Sequence, residues 1–113
     1  MKYVSKRDAQ TFSNASNCSG VEYNFDEPTM NGALIAVNGR YPERGYVINE
    51  VCQELAFVVR GTGTVCKEGQ QIKFEQGDTV FINNNEKFFW DGDFDIYAVC
   101  SPAFYPEQHR ELP

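Results

Sequence analysis

Short apolar runs separated by glycine-containing turns fill the chain from residue 33 onward. The strand-like runs cover residues 33–37, 46–52, 53–60, 64–67, 70–74, 79–82, 87–90 and 94–100. Most are too short for a helix and suit buried or half-buried strands. Turn signals separate them at Asn38-Gly39, Gly61-Thr62-Gly63, Glu68-Gly69, Gln76-Gly77-Asp78 and Asp91-Gly92-Asp93. This rhythm predicts an all-β sandwich or barrel.

The same pattern divides the chain into three parts. Residues 1–32 are polar, and we expect an irregular N-terminal segment and arm, with a loop over residues 13–20. The predicted barrel spans residues 33–105. The tail, residues 106–113, is rich in proline and charge, which favours a loop or one short helical turn.

Alternation along residues 54–59 assigns the two faces of one strand. If Glu54 points inward, Ala56 and Val58 point inward beside it, because side chains alternate along a strand. Leu55, Phe57 and Val59 then form an outer apolar face that needs cover. We therefore predict a homodimer that packs across this face.

Composition narrows the choice of partners. The 113 residues suffice for one domain, and 10 Lys and Arg against 16 Asp and Glu give a net charge of −6. A negative field repels phosphate backbones and anionic lipid, so we expect neither nucleic acid nor a membrane as partner. The N-terminus has no apolar run like that of a secretory signal, which predicts a cytoplasmic protein. In a reducing cytoplasm, the scattered Cys18, Cys52, Cys66 and Cys100 are expected to be buried thiols.

Two stretches of this strand pattern carry parts of a known motif pair. The first motif is G-x5-H-x-H-x3,4-E-x6-G, and Glu54 and Gly61 match its E-x6-G half. The second is G-x5-P-x-G-x2-H-x3-N, and Gly77 matches its first position. Over residues 33–105 the chain resembles the cupin superfamily. The resemblance implies a double-stranded β-helix, that is, a jelly-roll barrel.

The sequence departs from the cupin motifs at the metal ligands. In the first motif the histidine positions fall on Val47 and Asn49, or on Ile48 and Glu50 with the shorter spacing, and in the second on Phe88. Asn83, Asn85 and Gly92 replace its proline, glycine and asparagine. The resemblance implies a site of three imidazoles and one carboxylate. Glu54 and Asn49 offer only two oxygen ligands, which do not hold a transition metal. The lone histidine, His109, lies outside the barrel motifs. We predict no bound metal and no cofactor.

Glu54, Phe88 and Trp90 are the leading candidate site residues. A buried Glu54 would have a raised pKa suited to a general base, or its charge would be paired with Arg60 or Arg40. Phe88 and Trp90 share a strand face. They would either stack on a ligand ring or fill the barrel as core.

Four further residues complete the predicted site. Asn49 is a hydrogen-bonding group near Glu54, and Arg40 is either an attraction for an acidic substrate or an ordinary surface cation. Tyr97 is a predicted ligand contact, and Tyr97 or Tyr46 is a candidate acid.

Two functional hypotheses follow. The first is metal-independent binding of an unknown small molecule, such as a carbohydrate or other polar metabolite. The second is a cupin-type isomerase, epimerase or lyase acting on a sugar or small carboxylic acid, with Glu54 as base.

Overall fold

Strands make up most of the computed structural model, which describes residues 1–113. The nine strands are β1 (Gln10–Ala15), β2 (Cys18–Tyr23), β3 (Asn31–Tyr41), β4 (Tyr46–Asn49), β5 (Gln53–Lys67), β6 (Gln70–Glu75), β7 (Thr79–Ile82), β8 (Phe89–Ser101) and β9 (His109–Leu112). Two single 3-10 turns cover Lys6–Asp8 and Pro106–Gln108. The prediction of an all-β fold is confirmed. No helix here has the length and apolar character needed to cross a membrane.

Two sheets form the walls of the barrel. The larger has the strand order β1-β2-β3-β8-β5-β6, with β7 also paired to β5, and the smaller pairs β4 with β9. All pairs are antiparallel. Val47 of β4 exchanges backbone hydrogen bonds of 2.8 and 3.0 Å with Phe88, just before β8. This bridge ties the small sheet to the large one.

An aromatic cluster fills one end of the barrel. Phe74 meets Phe94 edge-on with ring centroids 4.9 Å apart, and Trp90 lies 5.8 Å from Phe74 in the same manner. On β5, Glu54, Ala56 and Val58 are buried. The intervening Leu55, Phe57 and Val59 are between 44% and 48% exposed, so the predicted assignment of the strand faces is confirmed.

Three predicted turns are instead bends inside long strands. Asn38-Gly39 lies within β3, Gly61-Thr62-Gly63 within β5, and Asp91-Gly92-Asp93 within β8. Gly92 is paired with Gly39 on one side and Gly63 on the other. A Cβ atom on Gly92 would lie 2.5 Å from the Cα atom of Gly63, so only glycine allows the strands to approach so closely. The glycines bend the sheet at a barrel corner without ending its strands.

Both termini are more ordered than predicted. The segment expected to be irregular contains the β1–β2 hairpin, whose β2 continues the large sheet through pairs such as Glu22 with Ala33. The tail contains the expected helical turn, but it then forms β9 along β4. The terminal strands β2 and β9 are polar. Backbone hydrogen bonds to strands elsewhere in the chain, β3 for β2 and β4 for β9, hold them in place. The turns predicted at Glu68-Gly69 and Gln76-Gly77 are present.

Candidate functional site

A cavity of about 450 Å³ opens between the large sheet and the C-terminal tail. Ala33, Ala98 and Ala56 are register partners across β3, β8 and β5. Their short side chains leave space above the sheet, where Ala33 and Ala98 line the cavity. The volume lies within the range of small-molecule sites, roughly 300–1,000 Å³.

Glu54 lies in this cavity as a buried carboxyl group without a cationic partner. Its side chain accepts one long hydrogen bond, 3.4 Å, from Asn49 Nδ2. Burial raises the pKa of Glu54 to about 7, and the Asn49 hydrogen bond opposes that rise only in part. A carboxyl group with this pKa can give or take a proton near neutral pH.

The alternative prediction, a charge pair with arginine, is wrong. Arg60 lies at the surface and binds Asp93 at 2.8 Å and Asp95 at 3.1 Å. Arg40 donates to the backbone carbonyl groups of Pro42 and Gly45. A β-bulge between Val58 and Arg60 interrupts the alternation of side chains along β5, so Arg60 lies on the outer surface beside Asp95 and not in the cavity with Glu54.

A histidine–tyrosine pair also lines the cavity, and the sequence motifs did not indicate it. His109 Nε2 lies 2.9 Å from the Tyr41 hydroxyl oxygen, and the two rings are nearly parallel, at 7°. Burial lowers the pKa of His109 and raises that of Tyr41. His109 is therefore held neutral near pH 7, and Tyr41 keeps its proton.

Strand β9 explains how His109 reaches this position. His109 is the register partner of Asn49 on β4, and its Nδ1 lies 2.8 Å from Asn49 Oδ1. The side chain of Asn49 thus contacts both His109 and Glu54. It does not line the cavity, and instead lies behind the two groups that do. The one signal in the sequence was the presence of a single histidine, because no motif spacing connects it to Glu54.

The aromatic candidates line the cavity and belong to the core. Phe88 and Trp90 are both buried, and their rings meet edge-on at 5.8 Å. They belong to the cluster of buried residues that fills the barrel. Their inner surfaces fill the barrel, and the parts that line the cavity can contact a ligand.

Three other candidates lie outside the cavity. Tyr97 lies between Ile96 and Ala98, which line it, so alternation turns Tyr97 to the opposite face, 6.1 Å from Tyr23. The guanidinium carbon of Arg40 lies 3.7 Å above the Phe89 ring. The ring of Tyr46 packs against the same Phe89 ring, with the centroids 5.8 Å apart.

Acidic and amide groups other than Glu54 also line the cavity. Asn31 Nδ2 donates to Glu22 at 3.1 Å, and burial raises the pKa of Glu22. Glu111 lies at the rim formed by the tail. None of the 21 lining residues is lysine or arginine. The site therefore presents hydrogen-bond acceptors and no fixed positive charge.

The four cysteines are all buried and unpaired, which confirms the prediction of buried thiols. Cys18 and Cys100 line the cavity. Burial raises the pKa of Cys18 to about 11. A hydrogen bond with Cys52, reinforced by burial, raises the pKa of Cys100. Both remain protonated thiols near pH 7 and are poor nucleophiles.

The donor set does not fit the metal centre of a cupin. Val47, Ile48 and Phe88 occupy histidine positions of the motifs and are buried apolar residues. Both ring nitrogens of His109 are already in hydrogen bonds, and no three His, Cys, Asp or Glu side chains converge.

Comparison with solved structures identifies the fold. Streptomyces PAC13, solved with uridine, matches with a TM-score of 0.85 at 17% identity over 99% of this chain and 91% of that one. KdgF from Halomonas sp. matches with a TM-score of 0.69 at 15% identity over 90% and 94% of the two chains. Ectoine synthase from P. lautus matches with a TM-score of 0.69 at 12% identity over 89% and 80%. No protein-family model matches the sequence, and neither does any curated protein. The chain therefore forms a small domain with the cupin fold.

Proposed function

We propose that this protein is a metal-independent acid–base enzyme, a lyase that removes water from an uncharged, hydroxylated ring compound such as a nucleoside or sugar. One observation carries the proposal. Glu54, a buried carboxyl group with a pKa of about 7 and no cation beside it, lines the same cavity as the Tyr41–His109 pair. Two proton-transfer groups on one cavity are what an elimination requires.

Charge favours an uncharged substrate. The cavity contains Glu22, Glu54 and Glu111 and no lysine or arginine. A phosphate or carboxylate group would enter without a counter-charge and close to carboxylates, which costs binding energy in a low-dielectric site. Carboxylates also accept hydrogen bonds from ribose hydroxyl groups. Of the substrates considered from the sequence, we therefore favour the sugar over the carboxylic acid.

Shape favours a ring compound. Trp90 and Phe88 supply apolar surface on one wall, and 12 of the 21 lining residues are hydrophobic. Aromatic walls with a few polar groups suit a molecule that has one flat face and several hydroxyl groups. A protein of the same fold, Pac13, is described as a nucleoside dehydratase and has been solved with uridine. That likeness supports nucleosides as the first compounds to test.

The first experiment is a binding and turnover screen. We would measure the thermal shift of the protein with uridine, adenosine and simple pyranoses, each paired with its phosphorylated form. Compounds that bind would then be incubated with the protein and followed by mass spectrometry for loss of one water. We expect stabilisation by uncharged compounds and a weaker response to each phosphorylated partner.

Glu54→Gln is the decisive variant for the enzyme proposal. The amide has nearly the same shape but cannot exchange a proton, so turnover should fall by at least about a hundredfold while binding persists. Glu68→Gln is the matched control, because Glu68 lies in an exposed turn remote from the cavity. Turnover retained in Glu54→Gln would exclude Glu54 as a proton-transfer group.

Binding without turnover is the second candidate, and the predominantly apolar lining favours it. A protein of this kind would bind the same uncharged compounds in wild-type and Glu54→Gln form, with no product in either case. The screen thus separates the two candidates.

We also propose that a second copy of the chain covers the outer apolar face. Leu55, Phe57, Val59 and Phe81 are each between 44% and 57% exposed. The first three alternate along β5, and Phe81 on β7 is paired with Leu55. They therefore form one continuous patch on the outer face of the sheet, opposite the inward-facing Glu54. A continuous patch of this composition is typical of a protein–protein interface.

A further inference from the structure

The amide of Gln108 has only one orientation that satisfies its neighbours. Its Oε1 atom accepts hydrogen bonds from the backbone N–H groups of Val51 at 3.1 Å and Cys52 at 3.2 Å. A backbone N–H group can only donate, so the oxygen must face these two groups. Gln108 Nε2 then points to Asn49 and donates to Asn49 Oδ1 at 3.2 Å.

That orientation fixes Asn49 in turn. Because Gln108 presents a donor, the Asn49 atom that faces it must be the oxygen. The same Oδ1 atom lies 2.8 Å from His109 Nδ1. An amide oxygen cannot donate, so Nδ1 must carry the proton. The fully buried Gln108 thus selects the tautomer of His109 through Asn49.

The opposite nitrogen then has a defined role. A neutral imidazole with a proton on Nδ1 has its lone pair on Nε2, which faces the Tyr41 hydroxyl group at 2.9 Å. Tyr41 donates to Nε2, and the hydroxyl oxygen keeps its own lone pairs for a ligand. Because the Tyr41 proton is directed at His109 Nε2, the pair is arranged to accept a proton from a ligand rather than to give one.

We propose that Gln108 and Asn49 are positioning residues that hold His109 in the Nδ1–H form, so that the Tyr41–His109 pair accepts the substrate proton and Glu54 donates one. This assignment rests on the proposed function, and it reverses the role of base that the sequence suggested for Glu54. The assignment follows from hydrogen bonds that the protein already contains in the absence of a ligand.

The step conserves atoms and charge. Tyr41 oxygen takes the proton from a substrate carbon while the Tyr41 hydroxyl proton passes to His109 Nε2, which forms an imidazolium. The carbon–hydrogen electron pair forms the new carbon–carbon double bond, and the neighbouring hydroxyl group leaves with the proton of Glu54 as water. A proton then returns from His109 to the Glu54 carboxylate through solvent, which restores the starting state.

The tautomer can be measured without a substrate, because the chain contains a single histidine. Nitrogen-15 NMR of uniformly labelled protein at pH 8, using two- and three-bond couplings to the ring carbon-bound protons, identifies which ring nitrogen carries the proton. We expect a protonated Nδ1 and a lone-pair Nε2. A protonated Nε2, or an averaged signal for the two nitrogens, would overturn the proposal.

Variants of Asn49 test how the tautomer is held. Asn49→Asp keeps an oxygen opposite Nδ1, so the Nδ1–H form should persist. Asn49→Leu removes the acceptor, and the proton should then move to Nε2, which can donate to Tyr41. If the Nδ1–H form survives in Asn49→Leu, the positioning role is refuted even though the tautomer itself was right.

Kinetics with any compound that turns over separate this proposal from the proposed function. Tyr41→Phe should lower kcat at least about a hundredfold because it removes the link to His109, whereas Tyr97→Phe, outside the cavity, should not. An unchanged rate in Tyr41→Phe, with loss of activity in Glu54→Gln, would refute the assignment of the acceptor and leave the acid–base function standing. The wrong tautomer in the NMR experiment would do the same.

Discussion

Replacing the buried Glu54 by glutamine should make the protein more stable, and by an amount that depends on pH. The carboxyl group accepts a hydrogen bond from Asn49 Nδ2, which a glutamine oxygen can still accept. At low pH the wild-type side chain is protonated, and the two side chains are nearly equivalent. At high pH the wild-type protein has to bury a charge that the variant lacks.

The magnitude follows from the pKa. Burial raises the pKa of Glu54 from 4.5 to about 7 in the folded state. One pKa unit corresponds to about 1.4 kcal/mol, so ionisation in the folded state costs about 3 kcal/mol. A raised carboxyl pKa contributes stability that is present below pH 4.5 and lost as the pH rises through 7. The variant should therefore match the wild type at pH 4 and exceed it by about 3 kcal/mol at pH 8.

Urea denaturation at pH 4, 5, 6, 7 and 8 measures the free energy of unfolding of each protein. Glu68→Gln, in an exposed turn, is the control and should run parallel to the wild type. A constant difference between Glu54→Gln and the wild type across this range would refute the reasoning, because it would show that the carboxyl group has an ordinary pKa. A wild type that is more stable at pH 8 would show an undetected cationic partner.

Three further outcomes are expected. Ala98→Leu should fill the cavity and abolish the ligand-induced thermal shift, whereas Ala36→Leu on the exposed part of β3 should not; equal ligand responses would place the ligand elsewhere. Phe57→Glu should convert a dimer to a monomer in size-exclusion chromatography with light scattering, and a monomeric wild type at micromolar concentration would refute the dimer. Elemental analysis of the purified protein should find no stoichiometric Fe, Mn, Ni or Zn, since Val47 and Phe88 occupy histidine positions of the motif; a bound metal would contradict the assignment of proton transfer to the side chains.

Patterns of nearby residues in the sequence were enough to predict the β-barrel architecture and one site residue, Glu54. Alternation along residues 54–59 places Glu54 on the inner face of a strand and Leu55 on the outer face, because a strand repeats every two residues. The missing histidines at Val47 and Phe88 are equally visible in the sequence. Each of these features depends on neighbours in the chain or on a fixed spacing.

The glycine bends show where local signals fail. Gly39, Gly63 and Gly92 are residues of a type that is common in turns. Two of them, Gly39 and Gly92, have positive φ angles of 103° and 148°. Whether such a glycine ends a strand or bends it depends on the strand beside it. Their alignment across three strands is a property of the sheet, and it was not readable from any one segment.

The candidate site itself was decided by tertiary structure. His109 and Gln108 lie in a polar tail that has no local preference for a strand, and only backbone pairing with β4 brings them to Asn49 and Glu54. The sequence alone predicted a strand-rich barrel with Glu54 facing inward and without the histidine ligands of the cupin motifs. Only the tertiary structure shows that His109, from the C-terminal tail, reaches that interior. The physical reason is that backbone hydrogen bonds between distant segments depend on geometry and very little on the identity of the side chains.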